Sequence, residues 1–316
     1  MPTSRRRVRI GGELSRGGPV DCPALGFRRM DGARVWVTIP TFNEAGNVER
    51  VSRAVLEQLE RCAPGEHRLL IVDDASPDGT GTIADELAAE KPAVEVLHRQ
   101  GKQGLGRAYL AGFEHALQGG AEVVIVMDAD FSHDPAYLPE LLAAIAHCDL
   151  ALGSRYVAGG AIVDWPPLRR LLSSAGSLYA RTILGVQVRD LTGGFRCIRR
   201  EVLEAVELPT LRSQGYVFNI ELTYRALRAG FQVAEVPIVF RDRTVGDSKI
   251  SLPIAIEALS LVPVLRFPSL RRTWPSTTVP LADPEASLED PLLSTASPPD
   301  NPEGPPAAAA SQRSTP

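Results

Sequence analysis

The chain has 316 residues, 44% of them hydrophobic and 23% charged, with 34 basic against 38 acidic side chains and a formal charge of −4. That composition supports one sizeable α/β domain with flanking segments, and the slight negative charge, without interleaved basic and aromatic residues, argues against a nucleic-acid partner. Cys22, Cys62, Cys148 and Cys197 stand far apart with no CxxC pair, so neither a zinc site nor a disulfide framework is indicated and a reducing, cytoplasmic location fits.

Residues 1–33 are rich in Arg and Gly and lack both apolar periodicity and a signal-type hydrophobic stretch. A disordered N-terminal arm is expected there. The short apolar runs VWVTI (35–39), LLIV (69–72), VEVL (94–97) and VVIVM (123–127) then predict buried strands. Each is followed by a helical pattern. After the first, Val48, Val51, Val55 and Leu59 recur at helical spacing; TGTIADELAAE, GLGRAYLAGFEHAL and PAYLPELLAAIAH fill the next three intervals. Strand alternating with helix predicts an α/β fold with a mostly parallel central sheet covered on both faces, and in such sheets ligands collect at the carboxyl ends of the strands.

Polar residues cluster at those ends. The first strand runs into Pro40, Thr41, Asn43 and Glu44, the second into Asp73, Asp74 and Asp78, and the fourth into Asp128, Ala129 and Asp130. Two carboxylates about 4 Å apart repel by about 4 kcal/mol at an effective dielectric of 20, so an Asp-x-Asp pair at the mouth of a buried strand calls for a cation. Hard oxygen ligands suit Mg²⁺ or Mn²⁺, with phosphate oxygens completing the shell. An isolated Asp-x-Asp also fits a solvated loop or cap, since Asp134 precedes Pro135 as a capping residue does; the accompanying acidic strand ends favour the cation.

GKQGLGR, at residues 101–107, differs from a dinucleotide fingerprint, because its glycines read GxxGxG and follow the third strand rather than the first. Gly104 and Gly106 are expected to shape the start of a helix. His98, His115, His133 and His147 show no triad or ligand spacing, and only His133 adjoins the acidic pair. Among 34 basic residues only Lys91, Lys102 and Lys249 are lysines, so positive charge is written as Arg almost throughout.

Residues 251–272 carry an apolar, helix-like segment interrupted by Glu257, Pro253, Pro263 and Pro268. It falls short of the roughly 20 apolar residues needed to span a bilayer. Two readings stay open: an amphipathic helix packing on the domain, or one lying at a membrane surface with Arg266, Arg271 and Arg272 near headgroups. Residues 273–316 are Pro-rich and acidic, a composition expected to stay disordered.

IPTFNEAGN, IVDDASPDGT, GKQGLGRAY, MDADFSHDP, GSRY, DLTGGFRCI and EVPIVFRDRTVGDSKIS together resemble the family 2 glycosyltransferases, and within them the polyprenyl-phosphate (dolichol-phosphate) mannose synthases; the likeness covers about residues 34–252. The resemblance implies a GT-A catalytic domain over residues 34–250, a GDP-mannose donor and a polyprenyl phosphate acceptor. It further implies that Pro40, Thr41, Glu44, Val72 and Asp74 line the base and ribose, while Asp128, Ala129 and Asp130 meet the diphosphate and metal. Asp73 is expected to be a structural neighbour. Some members carry Gln two residues after the second Asp as an additional ligand; Ser132 stands there in this chain.

Arg155, Arg169, Arg243 and Lys249 match family positions for the acceptor phosphate, with Asp130, Arg243 and Lys249 expected to carry catalysis. A phosphomonoester is largely dianionic at neutral pH, so it must be bound and oriented rather than deprotonated. Asp190 and Glu221 match the family pattern but are equally explained as buried hydrogen-bonding residues. A polyprenyl acceptor implies peripheral attachment at the cytosolic face of a membrane, directly or through a membrane-anchoring partner protein. Two alternatives remain at this level: glucosyl transfer from UDP-glucose to the same lipid, and a non-catalytic nucleotide-binding scaffold at the membrane.

Overall fold

In the computed structural model, which describes residues 32–211, 213, 215–242 and 252–267, all four predicted strands form: β1 (Val35–Thr41), β2 (His67–Asp73), β3 (Val94–His98) and β4 (Val123–Val126). With β5 (Leu150–Ser154), β7 (Arg196–Arg199) and β8 (Val233–Pro237) they build a seven-stranded sheet in the order β3-β2-β1-β4-β7-β5-β8. β7 runs antiparallel to both its neighbours and the other pairings are parallel. A short parallel pair, β6 (Ala161–Val163) with β9 (Val239–Arg241), stands apart.

Strand order reverses at β1, which pairs with β2 on one side and β4 on the other, Thr38 facing Val126. This is the switch point at which an open α/β sheet leaves a crevice at its carboxyl edge.

Helices cover both faces, as expected. On one lie α1 (Val48–Cys62), α2 (Thr80–Glu90) and α4 (Leu138–Ile145), over a core that includes Val37, Ile39, Leu69, Ile71 and Ile125. In α1 the inward stripe of Val48, Val51, Val55, Leu56 and Leu59 is buried, each such side chain contributing about 1.5–3 kcal/mol over exposure. The opposite face carries α3 (Leu105–Gln118), α5 (Pro167–Leu184), α6 (Arg200–Ala205), α7 (Gly215–Arg228) and α8 (Leu252–Arg266), around Tyr109, Phe113 and Phe218. Gly112 lets α3 approach β1: a Cβ there would stand 2.4 Å from Thr38 Cγ2.

Asp134 caps the turn at Pro135–Tyr137 by accepting the Ala136 amide at 2.9 Å, as its place before Pro135 suggests. α8 packs on α5 and α7, buries Val262, and its Leu259 carbonyl accepts the Tyr179 hydroxyl at 2.8 Å. The expected helix in residues 251–272 is therefore present and seated on the domain. Among the described residues no helix is long and apolar enough to cross a membrane. Of the segments expected to be disordered, residues 1–31 of the 1–33 arm and all of 273–316 lie outside the described residues, as do Arg243 and Lys249.

Candidate active site

Each strand end at the crevice turns through left-handed backbone at a non-glycine residue: Asn43 after β1 (φ 59°), Ala75 after β2 (φ 54°) and Phe131 beyond β4 (φ 59°). Such conformations cost of order 1–3 kcal/mol where a Cβ is present and gather where function demands them. Phe131 is held in place by Arg50, whose guanidinium carbon lies 5.2 Å from its ring centre.

The β1 and β2 ends are tied together. Thr41 Oγ1 donates to the Val72 carbonyl and to Asp73 Oδ1, both at 3.3 Å, and Asp73 also accepts the Ser76 amide (3.1 Å) and hydroxyl (2.5 Å). Asp73 thus organises the loop, matching its expected structural part. Asp78 accepts the Ala45 amide and both donors of Thr80, while the Glu44 amide donates to Thr80 Oγ1 at 2.9 Å. Burial pushes Asp78 up, but these hydrogen bonds outweigh it and its pKa falls below the usual carboxylate value.

Asp74, on the crevice side, forms a short ion pair with Arg99, which also donates to Gln103. Burial nonetheless raises the Asp74 pKa above the ordinary value. Glu44 accepts from Asn47 Nδ2 at 3.0 Å. The predicted base-and-ribose residues Pro40, Thr41, Glu44, Val72 and Asp74 therefore surround one rim, over the β1–β2 register in which Pro40 faces Val72.

Across the switch point, Asp128, Ala129 and Asp130 follow β4. Asp130 is nearly buried and its Oδ1 accepts the Ser132 amide at 3.0 Å; Asp128 is about one-third exposed. His133, fully buried, accepts the Asp128 amide on Nδ1 at 3.0 Å and stacks on Phe195, so its ring proton sits on Nε2. Burial holds its pKa below the usual value despite Asp128 and Asp130 nearby. His133 thereby acts as a neutral acceptor that fixes the backbone of the acidic pair.

Two carboxylates one residue apart, one of them facing the crevice, fit a hard divalent cation whose remaining ligands come from a diphosphate. Among the described residues no group of three or more His, Cys, Asp and Glu converges into a complete cage. Ser132 is buried and contributes its amide to the Asp130 turn.

Gly194 closes this side. A Cβ there would stand 3.2 Å from both His133 Cε1 and the Tyr109 hydroxyl and 3.7 Å from Asp128 Oδ1, so any side chain would crowd the 190–194 loop against the acidic pair and push its neighbours by a few tenths of an ångström. Arg196 holds that loop from beneath. Its side chain is fully buried and donates to the Gly193, Asn219 and Leu191 carbonyls and to Thr223 Oγ1 at 2.7–3.0 Å; burial pushes its pKa down to about 10.

The cationic side is built on Trp165. Arg169 lies 4.0 Å and Arg155 5.7 Å from its ring centre, and Phe240 packs edge-on between Trp165 and His133. Arg155 grips Asp190 through Nε (2.7 Å), Nη2 (2.8 Å) and its own amide (3.0 Å), and donates to Thr192. Burial raises the Asp190 carboxyl, but the Arg155 charge and hydrogen bonds more than reverse this, and its pKa is depressed. Arg169 Nη1 pairs with Asp242 at 2.9–3.0 Å, while among the described residues the buried donors Arg169 Nε and Trp165 Nε1 find no hydrogen-bond partner. Glu221 accepts from Ser213 and Arg225, away from this cluster.

The predicted residues from Pro40 to Asp130 therefore gather at the carboxyl edge of the sheet around β1, and Arg155 and Arg169 are linked to the acidic pair through Trp165, Phe240 and His133. Sequence reasoning missed Arg99, Tyr109, Trp165, Arg196 and Phe240. Arg196 sits inside DLTGGFRCI and Trp165 just ahead of Arg169, so the only signal available was adjacency to residues already singled out.

Residues 36–207 match glycosyl transferase family 2. The chain is 47% identical over 226 residues to the undecaprenyl-phosphate mannosyltransferase of Micrococcus luteus, covering 72% of this chain and 91% of that protein. It is 49% identical over 220 residues to the polyprenol monophosphomannose synthase of Mycolicibacterium smegmatis, covering 69% and 81%. The fold is similar to glucosyl-3-phosphoglycerate synthase from Mycobacterium tuberculosis, solved with Mn²⁺, UDP and glucosyl-3-phosphoglycerate, at a TM-score of 0.55 and 20% identity over 79% of this chain and 84% of that one.

Proposed function

The chain belongs to glycosyl transferase family 2, and from that premise we propose that it transfers mannose from GDP-mannose to a polyprenyl phosphate, with inversion at the sugar carbon. One observation carries the proposal: the acidic pair after β4 and the Arg155–Trp165–Arg169 cluster are joined through Phe240 and His133, so an anion-binding side adjoins a cation-binding one. The names of the two mannosyltransferase relatives support the sugar and the lipid.

In this mechanism Glu44 and Asp74 offer acceptors to the guanine edge or ribose hydroxyls. Asp128 and Asp130 would hold Mg²⁺ or Mn²⁺, which when bound neutralises charge on the departing diphosphate. Arg169, with Arg243 and Lys249 from the adjoining segment, binds the lipid phosphate, and Arg155 fixes the 190–194 loop behind it. The phosphate oxygen attacks from the face opposite the departing GDP. No general base is required, because the acceptor oxygen carries no proton to remove. The protein works at the cytosolic face of a membrane, where the acceptor's phosphate is presented.

The test is incubation of purified protein with radiolabelled GDP-mannose, Mg²⁺ and a polyprenyl phosphate, followed by lipid extraction. Label in the lipid phase is expected, and a parallel reaction with UDP-glucose should give little. Faster labelling from UDP-glucose would reassign the donor; nucleotide binding without labelled lipid would identify a scaffold.

A further inference from the structure

Arg155 and Arg169, the two cations beside Trp165, are paired in different ways. Arg155 and Asp190 meet fork to fork, Nε on Oδ2 at 2.7 Å and Nη2 on Oδ1 at 2.8 Å. Arg169 instead gives a single nitrogen, Nη1, to both oxygens of Asp242, at 3.0 and 2.9 Å. The Nε corner of its fork stays open: among the described residues that buried donor finds no acceptor, and nor does Nε1 of Trp165, the ring on which the guanidinium stacks. A pair built for rigidity would fill such donors.

Exposure separates the two pairs as well. The Arg155 and Asp190 side chains are 6% and 0% exposed, against 18% and 25% for Arg169 and Asp242, and a pair within reach of water is held less firmly than an enclosed one. Asp242 directly follows β9, one position beyond the pairing of Val163 with Arg241. It is a carboxylate in an exchangeable place, on the cation that the mechanism above gives to the acceptor phosphate. Tethered there, it competes for Arg169 at an effective concentration on the order of millimolar or more. A free anion below that level leaves Arg169 occupied. A phosphate on a lipid adds the binding energy of its tail and its enrichment in the bilayer, and so displaces the carboxylate.

We infer that Asp242 is a specificity determinant of the acceptor side, an internal counter-ion that occupies Arg169 until a lipid-borne phosphomonoester replaces it and that keeps free phosphate out. The inference rests on the assignment of Arg169 to the acceptor phosphate in the function proposed above.

Two measurements on the full-length chain test it: calorimetric titration with inorganic phosphate in the presence of EDTA, and lipid labelling with inorganic phosphate as inhibitor. Asp242→Asn, and Asp242→Ser as a second neutral variant, should bind phosphate at least about fivefold more tightly than wild type and be inhibited by it at correspondingly lower concentrations. Their KM for the polyprenyl phosphate should fall while that for GDP-mannose stays the same, and adding Arg169→Gln to Asp242→Asn should abolish the gain. Phosphate affinity equal to that of wild type in both neutral variants overturns the inference, as does a gain that survives Arg169→Gln. A raised KM for the polyprenyl phosphate, or melting lowered by more than about 5 °C in both variants, overturns it too, because Asp242 is then a structural strut for Arg169. Tighter phosphate binding that depends on Arg169, with no lipid labelled by any of the proteins, supports the counter-ion and refutes the proposed activity; labelled lipid with unchanged phosphate affinity refutes the counter-ion alone.

Discussion

Replacing Asp190 by Asn removes one charge from the most enclosed ion pair of the site. Asp190 is fully buried and accepts Arg155 Nε, Nη2 and amide, along with the Gly193 amide, at 2.7–3.1 Å. The nearly isosteric amide cannot accept at both ends, and it takes the Asp190 charge away from the buried Arg155 guanidinium. Breaking a buried pair from one side costs about 3–5 kcal/mol, whereas the exposed Arg53–Glu90 pair is worth at most about 1 kcal/mol. At roughly 2–4 °C per kcal/mol for a domain of this size, melting should fall by roughly 6–20 °C, read by calorimetry.

Acid dependence gives a second readout. The folded Asp190 carboxyl has a depressed pKa, so its contribution is fully present above the unfolded value of about 4 and is lost as pH falls through the folded one. Wild type should lose stability faster than the Asn variant as pH falls through and below about 4. An Asn variant melting within about 2 °C of wild type, with an unchanged acid profile, would refute the view that this pair holds the 190–194 loop.

Asp130→Asn should lower lipid labelling by about 100-fold with little change in melting temperature, and chelation with EDTA should stop wild-type labelling until Mg²⁺ or Mn²⁺ is returned. Gly194→Ala forces a Cβ to 3.2 Å from His133 and Tyr109; overpacking of about 1–3 kcal/mol is expected by urea melting, with a fall in kcat. The Cys148 thiol is pushed up to about 11, and Cys197 is likewise raised well above the usual thiol value, both by burial. Iodoacetamide at pH 8 should therefore leave both unlabelled in native protein, as peptide mapping would report, and label them only after unfolding.

Four of the sheet's seven strands, β1 to β4, were readable from the chain because they are short apolar runs, and α1 because its valines and leucines repeat at one period. Both patterns are local. The acidic residues were legible for the same reason: each directly follows a strand, and the parallel arrangement sends all such ends to one edge. Less was visible of the cationic side. Arg155, Trp165, Asp190 and Phe240 come from segments up to 85 residues apart, and only the insertion of β7 between β4 and β5 gathers the 190–194 loop beneath β4.

The sequence by itself determined the first four strands, the helices that follow them and which strand ends carry carboxylates, because propensity, periodicity and strand-end chemistry act over a few residues. Tertiary structure decided which charges are withdrawn from water and matched, as Arg155 is to Asp190, and which face of α5 points outward. Those outcomes depend on desolvation and on partners distant in the chain, so a helical period in α5 announces a leucine stripe without saying that Leu168, Leu171, Leu172 and Leu178 point outward while Ser177, Ala180 and Leu184 face the core.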